Sequence, residues 1–148
     1  MDYFSSNKFE RFLLANLEIN KEGIFQDKVV PVSREIRSSL EKGKGLVDSY
    51  CKFLPNIWAQ GFSEKVYKFS ENYGVNYSGE VVLMDFAERR FTKEETLRDI
   101  LSKGWKRVNS DKRNLKGKLR NYYELKIEEL LTPKNLDKYW ENKKRKTA

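Results

Sequence analysis

The 148-residue chain contains no histidine, one cysteine, three prolines and two methionines. Without histidine, no side chain has an ordinary pKa close to neutrality. Histidine-based triads and histidine-containing zinc sites are therefore excluded, and any proton transfer falls to carboxylates, lysine, tyrosine or Cys51. A lone cysteine cannot close an internal disulfide. Its position in an apolar run predicts a buried thiol in a reducing compartment, and so a cytoplasmic location. No run of about 18 uncharged apolar residues occurs, and residues 1–20 open with neither a basic start nor a long apolar segment. Neither secretion nor membrane spanning is expected. Repeats and low-complexity segments are also missing.

What the chain does have is 39% hydrophobic and 14% aromatic residues, enough to fill the core of one domain without covalent staples. Its net charge of +8 is unevenly placed. Residues 1–102 carry 15 Lys and Arg against 16 Asp and Glu, whereas residues 103–148 carry 15 against 6. All the excess positive charge therefore belongs to the last third.

Along the chain, "NLEINKEGIF" joins two apolar stretches through the turn-like Asn20 to Gly23, and the β-branched "VVPV" follows. This predicts a small antiparallel element within residues 13–32, with Phe9, Phe12 and Leu13 suiting a helical start instead, and Pro31 confines its strand to a sheet edge. Ser33 can cap a helix to Leu40, with Gly43 to Gly45 breaking it. A second helix then carries Leu46, Val47, Tyr50, Leu54, Ile57 and Trp58 at three- and four-residue spacings, with a kink expected at Pro55 and an end at Gly61. Thr92 and Glu95 form a capping box for a helix to about Ser102. Residues 111–131 read as one long helix with Leu115, Leu119, Tyr122, Tyr123, Ile127, Leu130 and Leu131 along a stripe and a basic opposite face. Thr132 and Pro133 open a last helix, which docks Leu136, Tyr139 and Trp140 before a basic tail. The fold class expected is α+β, mostly helical, with one central β-hairpin. Three segments of one domain follow: a β element and helix over 1–45, a helix, hairpin and helix core over 46–102, and a basic helical part over 103–148.

The stretch "ENYGVNYSGEVVLMDFAE", residues 71–88, has a different texture. Gly79 supplies a turn with positive φ, and the nearly continuous apolar run before Asp85 reads as a buried strand. Closing that hairpin brings Asn72 and Asp85 to the same end. An amide oxygen beside a carboxylate suits Mg²⁺, which keeps waters and nucleotide phosphates in its other positions. The same residues also suit a plain hairpin, with Asn72 capping a turn and Asp85 accepting backbone hydrogen bonds.

Asn72, twelve intervening residues, then Asp85-Phe86-Ala87-Glu88 resembles the metal-binding half of the protein-kinase-like fold. In that family an Asn and the Asp of Asp-Phe-Gly, joined by a hairpin, hold the magnesium ions. The resemblance covers residues 46–102, and it is shared with small prokaryotic proteins carrying a similar "NYGV…GEVVL.DF.E" core. It implies a reduced kinase C-lobe, with Asn72 and Asp85 as metal ligands and Mg²⁺ with ATP as the cofactors. Glu64, the nearest acid before Tyr67, becomes the candidate catalytic base, because the family's catalytic aspartate position holds Tyr67. Arg89 and Arg90, just after the pair, become candidate phosphate contacts. Ala87 replaces the family's glycine, and neither a Gly-rich phosphate loop nor a complete N-terminal lobe is present. A protein partner supplying that lobe, or a purely interacting module on the same fold, is compatible with the chain.

A second reading comes from the basic third. "KGWKRVNSDKRNLKGKLRNYY" interleaves cations with Trp105, Tyr122 and Tyr123. Lys106, Arg107, Lys112, Arg113, Lys116 and Lys118 are candidate nucleic-acid contacts, since cations beside stackable rings suit phosphates and bases. The aromatic residues fall on the apolar stripe and are equally expected in the core.

Overall fold

The computed structural model describes residues 18–25, 28–84 and 89–141, with the backbone alone for 18–20, 24 and 25. The expectations at Phe9, Phe12 and Leu13, at Asp85 to Glu88, and for the tail after residue 141 lie outside these residues.

The predicted small β element consists of strands β1 (Glu18–Asn20) and β2 (Gly23–Phe25), antiparallel about the Lys21-Glu22 turn. Strand β3 (Val30–Pro31) follows. It lies at the edge of a three-stranded antiparallel sheet ordered β3-β5-β6, where a residue lacking an N–H is tolerated.

The helix expected to run from Ser33 to Leu40 covers only α1 (Val32–Glu35). Ser39, in extended conformation, then caps a new helix by accepting from the Lys42 N–H at 3.1 Å. This helix, α2 (Leu40–Ala59), continues through Gly43 and Gly45, which do not break it. The reason is packing. A Cβ on the buried Gly43 would stand 2.8 Å from Leu119 Cδ2 and 3.3 Å from the Ile36 carbonyl, so glycine permits a close approach between helices. That contact offsets glycine's helix penalty of about 1 kcal/mol. Helix α2 also includes Pro55 and buries Leu46, Val47, Tyr50, Phe53, Leu54, Ile57 and Trp58. Gly61, at φ +89°, turns the chain away just past its end.

Next come β4 (Ser63–Glu64), α3 (Phe69–Asn72), β5 (Tyr73–Val75), β6 (Val81–Leu83) and β7 (Arg89–Arg90). The central hairpin pairs Tyr73 with Leu83 and Val75 with Val81, and all three β6 residues are buried. Its turn is closed by Asn76, whose Oδ1 accepts from the N–H groups of Ser78 and Glu80, with Gly79 at φ +83°. A separate ladder pairs Ser63 with Arg90 and Glu64 with Arg89, so the strands flanking the hairpin hold each other.

Thr92 caps α4 (Lys93–Ser102) through the Glu95 N–H, as the capping box predicts. A 3₁₀ turn at Gly104–Arg107 drops Trp105 into the core. The single helix expected over 111–131 is in fact two, α5 (Asn109–Asn114) and α6 (Gly117–Leu130), with Leu115 extended between them and Gly117 at φ +59°. The corner buries Leu115 and lets α5 turn its side chains onto α3, which a straight helix could not do. Helix α6 buries Leu119, Tyr123 and Ile127 at i, i+4 spacing. Helix α7 (Pro133–Tyr139) is capped by Thr132, and Leu136 and Trp140 are buried as expected.

The result is an α+β fold, mostly helical, in which α2 packs against α6, α7 and β6. Its centre is aromatic. Tyr50 stacks on Phe69 at 4.4 Å, Phe69 on Tyr123 at 5.7 Å, and Trp105 meets Tyr123 edge-on at 5.9 Å. Among the described residues, no helix is long and apolar enough to cross a membrane.

Candidate functional site

The segment from Ser63 to Asn72 enters the core as β4, leaves it as α3, and hands the chain to the hairpin. Two buried carboxylates determine its path. Glu64 is 2% exposed. Its Oε2 accepts from the Tyr73 hydroxyl at 2.5 Å and from the Tyr50 hydroxyl at 3.2 Å, and its Oε1 accepts from the Lys68 N–H. Burial pushes its pKa up to about 7 from 4.5, against the opposing pull of those three donors. A carboxyl so enclosed has no path to a substrate hydroxyl, and its bonds instead close the loop on itself.

Asp111, from α5, holds the other end. Its carboxylate accepts from the N–H groups of Phe69 at 3.1 Å and Ser70 at 2.8 Å, and from the Ser70 hydroxyl at 2.5 Å. Helix α3 is too short to stabilise itself, and a carboxylate brought from 41 residues away satisfies amides at its start. Burial raises the Asp111 pKa, while Ser70, Phe69 and Arg120 oppose the rise. The network continues outward: Asn114 Nδ2 donates to Ser70 Oγ at 3.1 Å, and the Arg37 guanidinium donates to Asn114 Oδ1.

Between these two anchors stands Tyr67, buried and at φ +60°. The left-handed region disfavours a side chain of this size and persists only when the surroundings impose it. Here they do, since the Tyr67 hydroxyl shares a 3.1 Å hydrogen bond with Ser63 Oγ, itself 3.0 Å from the donating Trp58 Nε1.

Asn72 ends α3 and immediately precedes β5. It is 9% exposed, and its carboxamide bonds to no described residue. Its carbonyl accepts from the Met84 N–H at 2.8 Å, extending the hairpin by one bond beyond the β5–β6 ladder. Asp85 follows Met84 in the chain and lies outside the described residues. Among the described residues, no group of three or more Cys, Asp or Glu forms a metal cage. The donor available there is the Asn72 oxygen, which fits a cation taking most of its ligands from water and phosphate and not one needing a full protein shell.

Arg90 is engaged internally: Nε meets Asp99 at 2.9 Å and Nη1 meets Glu95 at 3.1 Å, tying β7 to α4. The Arg89 guanidinium lies 5.7 Å over the Phe91 ring. The six basic candidates divide. Lys106 pairs with Glu128 at 2.7 Å, and Arg107 donates to the Ser102 carbonyl at 3.1 Å. Lys112, Arg113, Lys116 and Lys118 gather around the α5–α6 corner, exposed and without an ion pair among the described residues. Trp105 and Tyr123 are core residues, so they offer no stacking platform. Cys51 is partly buried, and burial pushes its thiol up to about 12, which removes it as a nucleophile near neutral pH.

Comparison with known proteins finds no matching family model, no matching curated sequence and no matching solved structure. The sequence alone pointed to Glu64 and Asn72 but missed Asp111, Ser70, Tyr50 and Tyr73. Asp111 carried a faint signal as the only acid in a strongly basic stretch, "KRVNSDKRNLKGK".

Proposed function

We propose that the hairpin end is a magnesium-nucleotide or phosphate site of a reduced, kinase-like C-lobe, with Asn72 and Asp85 as the metal ligands. The observation that carries this reading is the Met84 N–H to Asn72 carbonyl bond of 2.8 Å. It continues the antiparallel pairing past the hairpin to the residue before Asp85, at the end where the Asn72 carboxamide bonds to no described residue. The β4–β7 ladder supports the same reading, because it fastens both flanks of that end. When bound, the metal would neutralise phosphate charge. The chain's own part is to orient the two oxygen donors, and the loop anchored by Glu64 and Asp111 does this for Asn72. Glu64 then serves the loop and not the substrate. A partner protein completing the nucleotide cleft, and a cytoplasmic setting with millimolar magnesium nucleotide, complete the proposal.

Titration of Mg²⁺-ATP at moderate salt, followed by calorimetry, tests it. Wild type is expected to bind, and Asp85→Ala and Asn72→Ala to lose at least about tenfold in affinity while melting as wild type does. Absence of binding in the wild type, or equal binding in all three, overturns it. A second reading, nucleic-acid binding through the basic third, is favoured by the exposed Lys112, Arg113, Lys116 and Lys118, which form no ion pair among the described residues. It demands an affinity that falls steeply with salt and ignores Asp85.

A further inference from the structure

An open cleft of about 610 Å³ lies at the Arg37–Asn114 end of the Arg37–Asn114–Ser70–Asp111 network, lined by Ile36, Arg37, Ser39, Leu40, Arg113, Asn114, Lys116 and Leu119. Three of these residues are cations contributed by two distant parts of the chain, and no carboxylate is among them. None of the three forms an ion pair among the described residues, although eight other cation–carboxylate residue pairs do. Three cations with no carboxylate among the lining make the local potential positive, which favours an anion there. Arg37 is already oriented, its guanidinium held by Asn114 Oδ1. That anchoring reduces the side-chain entropy lost when a ligand binds. The floor is apolar, with Ile36 at 2% and Leu119 at 8% exposure beneath Leu40 at 38%. Helix α6 begins beside Lys116 with no side chain capping its first amides and no acid in its first turn, so its dipole adds to the same positive potential.

We propose that this cleft binds a phosphorylated small molecule, its phosphate held by Arg37, Arg113 and Lys116 and an apolar or planar body resting on Ile36, Leu40 and Leu119. The volume falls within the range of small-molecule sites. Arginine supplies the planar, forked donors that match phosphate oxygens. A long nucleic-acid strand would instead use the whole basic corner, with Lys112 and Lys118 as much as Arg37, and would have no use for the apolar floor. The site is separate from the hairpin and does not depend on Asp85 or on a metal.

The test uses the full chain in magnesium-free buffer with chelator at moderate salt. Pyrophosphate, phenyl phosphate and a single-stranded oligonucleotide are titrated by calorimetry, and backbone amide shifts are followed by NMR. Phenyl phosphate is expected to bind more tightly than pyrophosphate, to shift the amides of Arg37, Asn114 and Gly117, and to weaken about tenfold in Arg113→Glu and in Lys116→Glu. Asn72→Ala is expected to bind as wild type does. Both substituted cations are exposed and form no ion pair among the described residues, so matched melting curves separate lost binding from lost fold, with Arg113→Gln as the milder variant. The proposal is overturned if neither phosphate compound binds, if Asn72→Ala weakens binding as much as Arg113→Glu, or if the oligonucleotide alone binds.

Discussion

Glu64 and Asp111 sit at opposite ends of the same loop, both buried and both hydrogen-bonded three times, yet they are built differently. Glu64 is local: two tyrosine hydroxyls and an amide four residues away enclose it. Asp111 is remote, reaching from α5 to backbone amides about 40 residues earlier in the chain. The first closes a loop on its own side chains, whereas the second ties two segments together through groups that cannot be mutated away. Loss of the remote anchor should therefore harm the fold more, and loss of the local anchor should mainly change how the fold responds to pH.

The largest expected effect follows from removing the remote anchor. Asp111→Ala leaves two buried N–H groups and the Ser70 hydroxyl without their acceptor, a loss of about 4 kcal/mol by chemical denaturation. Asp111→Asn keeps one acceptor oxygen and should lose about half as much. If Asp111→Ala costs less than Glu64→Ala at neutral pH, the ranking of the two anchors is reversed.

The next prediction concerns pH. Glu64 is raised from 4.5 to about 7 in the folded chain, so between those values the folded state binds a proton that the unfolded state releases. Stability therefore falls as pH rises through this window, and below pH 4.5 the contribution is fully present. Glu64→Gln removes the titration. Measured against wild type from pH 4.5 to 7, the variant should gain about 3 kcal/mol in relative stability. A flat difference would show that Glu64 ionises in the folded chain as freely as in water. Asp111, raised as well, adds a slope of the same sign beginning lower, and Asp111→Asn should remove only that part.

The smallest effect belongs to a carboxylate contact of a different kind. Arg90 joins β7 to α4 through Asp99 and Glu95 at the half-exposed surface. Solvent screens such pairs, and Arg90→Ala should cost less than about 1 kcal/mol, shrinking further in high salt. A salt-insensitive loss above that would mean that Arg90 acts through buried packing.

Local chemistry made much of this legible beforehand. Thr92 with Glu95, Thr132 with Pro133, Gly61 and Gly79 each act through neighbours within four residues, and Pro31 acts through its own missing N–H; each does what its residue type implies. Expectations failed where a distant contact overrode a local preference. Gly43 stays helical because Leu119 needs the room, and the helix over 111–131 bends because Asp111 and Asn114 reach α3. For the candidate site, Asn72 and Glu64 were readable as polar residues beside a hairpin, while their partners were not. Nothing in a tyrosine's sequence context says that its hydroxyl will meet a carboxylate fourteen residues away.

By itself, the order of residues determined the class of fold, the Thr92 and Thr132 helix caps, the hairpin with its Gly79 turn and the crowding of positive charge into the last third, because these depend on backbone preferences and composition. Only the tertiary structure decided that Glu64 is sealed from solvent, that Asp111 holds the loop before Asn72, and that Arg37 joins Arg113 and Lys116 around one cleft. Those outcomes depend on which side chains are brought together once water is excluded, and burial then sets both the cost of a charge and the number of partners it must find.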